Sequence, residues 1–250
     1  MNIGIIIQAR MGSTRFPGKI LKQFYGGKVL LEILLENLHK VDVAKVIVAT
    51  SVNKNNDQLE AFLLKKGEIV YRGSENDVID RFIKAAESND VDGIVRICSD
   101  NPFMDWHGVV QLVEKARRSD ADYIGFCINN KPSILTHFGF WGEFVQLKAL
   151  KQVAETTEVG TPAHEHVTYH IYSHPDEYKC EWIPGPEFLQ GRNDIRLTID
   201  TPDDLTNALK VYSDLKVKDD NFTLQDVVTY LDAHEDIKQL MLKSIFQNKK

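Results

Sequence analysis

Two kinds of hydrophobic pattern alternate along the first part of the chain. Short runs of consecutive apolar residues, typical of strands buried on both faces, occur at 3–7, 43–50, 68–71 and 93–98. Between them, apolar residues recur every three or four positions, as on one face of a helix, at 29–40, 57–66 and 76–88. This alternation predicts an α/β fold in which a mostly parallel sheet is covered by helices on both faces.

The pattern changes near residue 132. The aromatic and glycine-rich stretch 137–142 is more typical of an antiparallel or edge segment than of a strand in a βαβ unit. Further on, helical spacing predicts helices at 147–154 and 162–172, and a strand is predicted at 178–183. We interpret 132–183 as an insertion within a single domain that spans residues 1–250.

The end of the chain reads as one more strand and three helices. A last core strand is predicted at 195–199, directly before Asp200. Thr201 is then favoured as the cap of a helix with Pro202 in its first turn and acids near its positive end. Two closing helices are predicted at 223–231 and 235–246, with frayed residues at 247–250.

Composition and charge indicate which partners and which cellular compartment to expect. The 250 residues carry a formal net charge of −6, which argues against nucleic acid as the main partner. The three cysteines are widely spaced and indicate neither a disulfide framework nor a zinc ribbon, so a reducing cytoplasm is expected. No apolar run approaches the ~18 residues of a membrane span. We therefore expect a cytoplasmic protein with no membrane segment.

The first predicted strand runs into a basic loop. Residues 8–19 read Gln-Ala-Arg-Met-Gly-Ser-Thr-Arg-Phe-Pro-Gly-Lys. Gly12 and Gly18 let backbone amides turn toward an anion, and the loop supplies three cations, namely Arg10, Arg15 and Lys19. The pattern predicts a phosphate site, with a solvated basic loop as the alternative. It contains neither a P-loop nor a dinucleotide-binding glycine motif.

Two acidic residues lie where a ligand cleft is expected. Asp100 follows the strand at 93–98 and precedes Pro102, and Asp200 follows the strand at 195–199. Ligands of parallel α/β sheets bind beyond the carboxyl ends of strands, so both carboxylates are predicted to face the cleft. The alternatives are a turn cap for Asp100 and a helix cap for Asp200.

The basic loop resembles that of the cytidylyltransferases that activate acidic sugars. It is most similar to the spore-coat polysaccharide F-type branch, whose members carry Gln-Ala-Arg where the 3-deoxy-manno-octulosonate (Kdo) enzymes carry Pro-Ala-Arg. In the second half, the resemblance rests on Asp-Thr-Pro-Asp-Asp-Leu at 200–205 and Glu-His-Val-Thr at 165–168. It implies a three-layer, Rossmann-like nucleotide-diphospho-sugar transferase fold with an antiparallel insertion.

The resemblance also implies an activity and a set of site residues. The expected reaction transfers CMP from CTP to an acidic sugar or related acceptor and releases pyrophosphate. The implied catalytic residues are Arg10, Lys19 and Asp100, and Mg²⁺ would be held by Asp100 and Asp200. Substrate binding is implied for Gln8, Ala9, Gly12, Ser13, Arg15, Arg72, Ser74, Asp77, Arg81, Arg96 and His166.

Some of these assignments have alternatives. The Kdo enzymes read Ser-Gly-Thr where this chain has 77–79, so Asp77 is also a candidate helix cap. His166 belongs either to the acceptor site or to a polar helix face. A zinc site at His166 and His170, with His164 and Glu165 beside them, is disfavoured, because no H-E-x-x-H motif is present and the spacing fixes no third ligand.

Other functions remain open at this point. They are a nucleotidyltransferase of the same fold with another base, a glycosyltransferase, and a non-catalytic nucleotide-binding scaffold. The glycosyltransferase is disfavoured because Asp90-Val-Asp92 precedes its strand instead of ending it. The resemblance further implies a homodimer built through the insertion at 132–183.

Overall fold

The computed structural model describes residues 1–247. In this range, one sheet contains eight strands: β1 Ile3–Gln8, β2 Val46–Ser51, β3 Ile69–Gly73, β4 Gly93–Cys98, β5 Tyr123–Ile128, β6 Lys131–Pro132, β7 Glu143–Gln146 and β8 Cys180–Pro184. The α-helices are α1 Leu30–Leu38, α2 Asp57–Lys65, α3 Val78–Glu87, α4 Trp106–Arg118, α5 Leu147–Thr156, α6 Pro162–Glu165, α7 Tyr169–Ser173, α8 Pro202–Lys218, α9 Leu224–Asp232 and α10 Glu235–Gln247. None of these helices is long and apolar enough to cross a membrane.

The sheet has a parallel half and a mixed half. Its strand order is β3-β2-β1-β4-β7-β5-β6, with β8 also paired to β5. The pairs β1–β2, β2–β3 and β1–β4 are parallel, whereas β7 is antiparallel to both of its neighbours, β4 and β5. The predicted α/β fold with a mostly parallel sheet and an antiparallel segment is confirmed.

Helices cover the sheet on both faces. Alternating residues of β1 point to opposite sides, so Ile5 and Ile7 pack on one face and Ile6 on the other. The first face carries α1, α2, α4 and the three C-terminal helices; the second carries α3 and α5 to α7. The continuous apolar runs of the sequence follow from this double coverage.

The cap of α8 shows how local sequence sets an element boundary. The Thr201 hydroxyl accepts a hydrogen bond from the Asp204 amide at 3.2 Å, and the Asp204 carboxylate accepts one from the Thr201 amide at 3.0 Å. This reciprocal pair satisfies two amides of the first helical turn, and Pro202 at the start has no amide to satisfy. The predicted cap at Thr201 is confirmed, and Asp200 lies before it.

Several predictions about elements were wrong. Residues 195–199 form no strand, since β7 pairs with the edge of β4 instead; the amides of Leu197 and Ile199 donate to the carbonyls of His137 and Asp100. The stretch 137–142 is likewise irregular, and 162–172 contains two short helices instead of one. Sequence patterns also missed α4 and β5. Of the predicted frayed end, Gln247 ends α10 and 248–250 lie outside the described residues.

Candidate active site

The basic loop is anchored at the carboxyl ends of β1 and β2. The amide of Met11 donates to the side chain of Asn56 at 2.8 Å, and Asn56 donates in turn to the Ser51 hydroxyl at 2.8 Å. Within the loop, the amide of Gly18 donates to the Met11 carbonyl at 2.9 Å, with Gly18 at a φ of 69°. A left-handed backbone of this kind favours glycine. The turn brings Lys19 back under the end of the sheet.

Lys19 joins the two predicted aspartates. Its Nζ donates to Asp100 Oδ2 at 2.7 Å, to the carbonyl of Ile199 at 2.6 Å and to Asp200 Oδ1 at 3.4 Å. Burial alone lowers the pKa of Lys19, but the two carboxylates raise it above its ordinary value, so the ammonium stays charged. Residues far apart in sequence thus meet at one point, which lies beyond the ends of β1 and β4.

Asp200 is surrounded by cations. Arg15 Nη2 lies 3.0 Å from its Oδ1, and Arg196 Nη2 lies 2.8 Å from its Oδ2. Although burial alone raises the pKa of Asp200, Lys19, Arg15 and Arg196 lower it below its ordinary value. Arg196 is held in turn by Asp204, at 2.9 Å and 3.0 Å. The Asp200 carboxylate is therefore ionised and held in one orientation.

A cavity of about 170 Å³ opens beside Asp100 and Asp200. Its walls include the hydroxyl residues Ser133 and Thr136 and the rings of Phe138, Phe140 and Trp141. Two further wall atoms, Asn101 Oδ1 and Thr198 Oγ1, are buried without a hydrogen-bond partner among the described residues. The cavity can hold a compact ligand that has both hydroxyl groups and an apolar face.

A larger cavity of about 550 Å³ lies on another side of the turn that follows Asp100. Its aromatic wall includes Phe103, Trp106 and Phe222, and its two lysines bind within the chain, Lys216 to Asp220 and Lys40 to Asn37. None of the predicted site residues lines it. Size alone does not mark the functional site, and we place that site at the smaller cavity, where the charged residues meet.

The residues of the predicted base-binding segment are mostly bound within the chain. Arg72 lies 2.6 Å from Glu60 and 2.8 Å from Asp57, and these hydrogen bonds raise its pKa. Asp77 caps α3 by accepting from the Asp80 amide at 2.9 Å, and it also pairs with His164 at 2.9 Å. Arg72 and Asp77 therefore have clear structural roles.

Arg81 differs from these two residues. Its side chain is buried, its Nη1 donates to the Ser74 carbonyl at 2.8 Å, and its Nε has no partner among the described residues. Burial and the positive charge of nearby Arg10 lower its pKa. The Ser74 hydroxyl accepts from the Asp77 amide at 3.0 Å and so shapes the same loop. Exposed Arg10 and buried Arg81 are therefore close enough for their charges to interact at the start of the basic loop.

The remaining predicted residues fall into two groups. Ala9 is buried, Gly12 is exposed, and the Ser13 hydroxyl accepts from the Phe16 amide at 3.3 Å, so this part of the loop offers backbone groups more than side chains. Gln8 and Arg96 lie 3.1 Å apart on neighbouring strands, and Arg96 pairs with buried Glu143 at 2.6 Å. The side chain of His166 points to solvent.

Sequence reasoning missed four residues that shape this site. Asn56 positions the loop and Glu143 positions Arg96. Arg196 positions Asp200 and is itself held by Asp204. Each is polar and buried. Two of them left a signal in the sequence: Arg196 is a charged residue in the apolar stretch 195–199, and Asp204 belongs to the recognised motif at 200–205. Nothing in the local sequence pointed to Glu143 or Asn56.

The two aspartates fit a divalent metal that is shared with a phosphate ligand. Within residues 1–247, no cluster of three or more His, Cys, Asp or Glu side chains forms a complete metal cage. Asp100 and Asp200 nevertheless face one point, where Lys19 Nζ contacts both. Mg²⁺ typically takes one or two carboxylates and completes its octahedron with phosphate oxygens and water. The donor set therefore fits magnesium bound together with a triphosphate.

A mostly parallel sheet whose carboxyl edge carries a basic loop and two facing aspartates is the arrangement expected of a nucleotidyltransferase. The sequence model described as "Cytidylyltransferase" matches residues 4–250. The chain belongs to the cytidylyltransferase family and is a CTP-dependent nucleotidyltransferase. The resemblance seen in the sequence is thereby confirmed.

Individual relatives extend over almost the whole chain. The spore coat polysaccharide biosynthesis protein SpsF of Bacillus subtilis is 33% identical over 240 residues, which are 94% of this chain and 96% of the relative. A cytidylyltransferase structure from Leptospira borgpetersenii is 29% identical with a TM-score of 0.83, covering 96% of this chain and 97% of the other. A CMP:2-keto-3-deoxy-manno-octonic acid synthetase complexed with CTP shares the fold at a TM-score of 0.66 and 16% identity, covering 86% and 100%.

Proposed function

We propose that this enzyme transfers CMP from CTP to an acidic sugar or related acceptor in the biosynthesis of a surface polysaccharide. The observation that carries the proposal is the contact of buried Lys19 with both Asp100 and Asp200 beside the basic loop. The names of the relatives support the substrate class, since one acts in spore coat polysaccharide biosynthesis and another was solved with CTP.

The cationic and the acidic residues of the site have different proposed roles. Exposed Arg10, and Arg15 beside its partner Asp200, are placed to bind the triphosphate, and the loop amides supply further donors. Asp100 and Asp200 would hold Mg²⁺, which when bound neutralises charge on the phosphates and the leaving pyrophosphate. An acceptor oxygen attacks the α-phosphorus, the bond to pyrophosphate breaks, and preplaced cations stabilise the charge in the transition state.

Lys19 must replace one of its present hydrogen bonds before its ammonium can contact a phosphate. An ammonium has three donors, and here they meet Asp100, Asp200 and the Ile199 carbonyl. The longest of these contacts, 3.4 Å to Asp200, is the one most easily given up. Arg15, Arg196 and a bound Mg²⁺ compete with Lys19 for Asp200 and so favour the release of this contact. Lys19 then stabilises the α-phosphoryl oxygens while it remains on Asp100.

The 170 Å³ cavity is the proposed acceptor site. It adjoins Asp100 and Asp200, and part of its wall comes from 133–141, within the segment interpreted as an insertion. Ser133 and Thr136 at the cavity wall suit a polyhydroxylated molecule, and the aromatic rings suit the apolar face of a sugar. Arg15 at this cavity suits an acidic group on the acceptor.

The proposal includes an assembly and a compartment. We propose a homodimer that forms through 132–183, where Tyr169 and Trp182 are partly exposed large side chains. Within the described residues, Cys98, Cys127 and Cys180 form no disulfide, which agrees with a reducing cytoplasm. A sedimentation experiment that gives a clean monomer at micromolar concentration would refute the dimer.

Pyrophosphate release tests the reaction. Purified enzyme is offered each ribonucleoside triphosphate, with and without Mg²⁺, together with a panel of Kdo-like and nonulosonate sugars. We expect release only with CTP, Mg²⁺ and an acidic sugar. The Asp100→Asn variant should lose this release, whereas Asp42→Asn, at an exposed aspartate, should keep it. Equal turnover by Asp100→Asn would contradict the assigned site, and turnover with another triphosphate would contradict the assigned donor.

A further inference from the structure

The side-chain amide of Gln8 is held from one side only. At the end of β1, Arg96 Nη2 donates to Gln8 Oε1 at 3.1 Å. A guanidinium has donors and no acceptor, so the oxygen of the amide must occupy this contact and the nitrogen must point away from it. Nε2 of Gln8 has no acceptor in the part of the chain that the structure describes. Since Gln8 is partly exposed, the two N–H groups of this nitrogen remain available to a ligand.

A buried network fixes that orientation. Arg96 Nη1 donates to Glu143 Oε2 at 2.6 Å, and the same oxygen accepts from the Thr168 hydroxyl at 3.0 Å. The other oxygen of Glu143 accepts from the Tyr123 hydroxyl at 2.6 Å. Every residue of this network is at least nine-tenths buried. Since a fully bonded buried carboxylate cannot rotate without losing several bonds, Arg96 and the Gln8 amide keep one position.

Thr168 explains part of the Glu-His-Val-Thr motif. The motif's histidine faces solvent, whereas its threonine reaches Glu143 in the interior. The path from Thr168 through Glu143 and Arg96 to Gln8 links 132–183 to the first residue of the basic loop. A chain of hydrogen bonds thus connects the segment to the start of the basic loop.

The position of Gln8 suits contact with a base. Gln8 and Arg96 lie on the same face of the sheet as Ile6, the face covered by α3, which carries Arg81. Lys19, Asp100 and Asp200, which receive the phosphates in the proposed function, lie beyond the neighbouring strand ends. The base of a nucleotide lies at some distance from its phosphates. The amide donor of Gln8 is on the face covered by α3, away from the residues that receive the phosphates.

We propose that Gln8 determines which base the enzyme accepts, and that Arg96, Glu143 and Thr168 are positioning residues for it. Nε2 donates to a ring nitrogen that carries no hydrogen, which is N3 in cytosine. In uracil the same position is an N–H, so two donors would face each other without an acceptor, and such a mismatch is strongly rejected in a dry site. This inference rests on the proposed function, which places CTP here.

Gln8→Glu is the decisive variant. It keeps an oxygen for Arg96 and replaces the free donor with an acceptor, without a change in size. We would titrate wild-type enzyme and variant with CTP and with UTP in the presence of Mg²⁺, by calorimetry, so that no acceptor is needed. We expect the CTP-to-UTP affinity ratio of the variant to fall by at least about tenfold, from weaker CTP and stronger UTP binding.

A second pair of variants tests the network. Thr168→Val removes one bond to Glu143 at nearly constant volume and should lower the CTP-to-UTP ratio by a smaller factor, of about threefold. The matched control is Thr206→Val, at an exposed threonine of α8, which should leave the ratio unchanged. A circular dichroism melt shows that each variant is folded before it is titrated.

The outcomes separate this inference from the proposed function. A wild-type enzyme that binds CTP and UTP equally overturns the assigned donor and this inference with it. A CTP-selective wild type whose selectivity survives unchanged in folded Gln8→Glu overturns the role of Gln8 alone. A lowered ratio in Gln8→Glu, with a smaller loss in Thr168→Val, supports the inference.

Discussion

Replacing Lys19 with methionine should destabilise the free enzyme and increase its stabilisation by magnesium. Methionine keeps an unbranched side chain but removes the ammonium that lies between Asp100 and Asp200. Loss of one partner of a buried ion pair costs about 3–5 kcal/mol. Here the cost is smaller, because the Asp100 and Asp200 side chains are 24% and 16% exposed and Asp200 keeps Arg15 and Arg196.

We therefore expect the free energy of unfolding to fall by about 2 kcal/mol, roughly half of the buried-pair value. In a chain of this size that corresponds to a decrease in Tm of about 4–8 °C. Without the ammonium, the two carboxylates repel each other and offer a more negative site. Mg²⁺ binds the folded state at this site and should therefore stabilise the variant more than the wild type.

Urea unfolding with and without Mg²⁺ measures both effects. Lys22→Met is the matched control, because Lys22 is exposed near the same loop, and it should change neither quantity. CTP-dependent pyrophosphate release should be lost in Lys19→Met even where magnesium restores stability, since a metal cannot replace the ammonium at the α-phosphate. Equal magnesium increments in the variant and the wild type would refute the reasoning that Lys19 holds the two carboxylates together.

Three further predictions concern stability. Burial alone raises the pKa values of Asp200 and Asp204, but neighbouring cations and hydrogen bonds lower both below their ordinary values. The two carboxylates therefore stabilise the fold at pH values above the unfolded pKa of ~3.9. We expect the stability measured in urea to fall as the pH drops below that value toward the folded-state pKa values. Gly108→Ala should lower Tm despite the better helix propensity of alanine, because a Cβ there would lie 2.4 Å from Trp141; an increased Tm would contradict this packing. Thr201→Ala should cost about 1 kcal/mol in urea unfolding through the lost cap of α8, whereas Thr201→Ser should keep most of it.

The parallel half of the fold could be predicted because its signals are local. Strand β4 was predicted with its observed bounds, and β1 and α2 to within one residue, since apolar runs and helical spacing repeat over short distances. The region from α4 to β7 could not be predicted in the same way. The position of β7 depends on its pairing with β4 and β5, and pairing between distant segments leaves no pattern in the local sequence.

The same limit applies to the site. The loop could be recognised by its glycines and cations, and Asp100 by its place after a strand. Asp200 could be recognised by the motif at 200–205, and the structure places both aspartates at Lys19. Whether an arginine faces the cleft or a neighbouring carboxylate is a three-dimensional question. Arg72 illustrates this, because the carboxylates that bind it come from α2, and no local pattern indicates that α2 contacts Arg72.

The place of β7 in the sheet has a consequence for synthesis on the ribosome. Strands β3, β2, β1 and β4 are complete once the chain has passed residue 98, yet the outer edge of β4 stays unpaired until 143–146 have emerged. During that interval the nascent protein presents an apolar strand with free amides and carbonyls, which is a template for aggregation. Fragments that end before Glu143 should accordingly be insoluble, and slow elongation in this interval should increase the demand for chaperones.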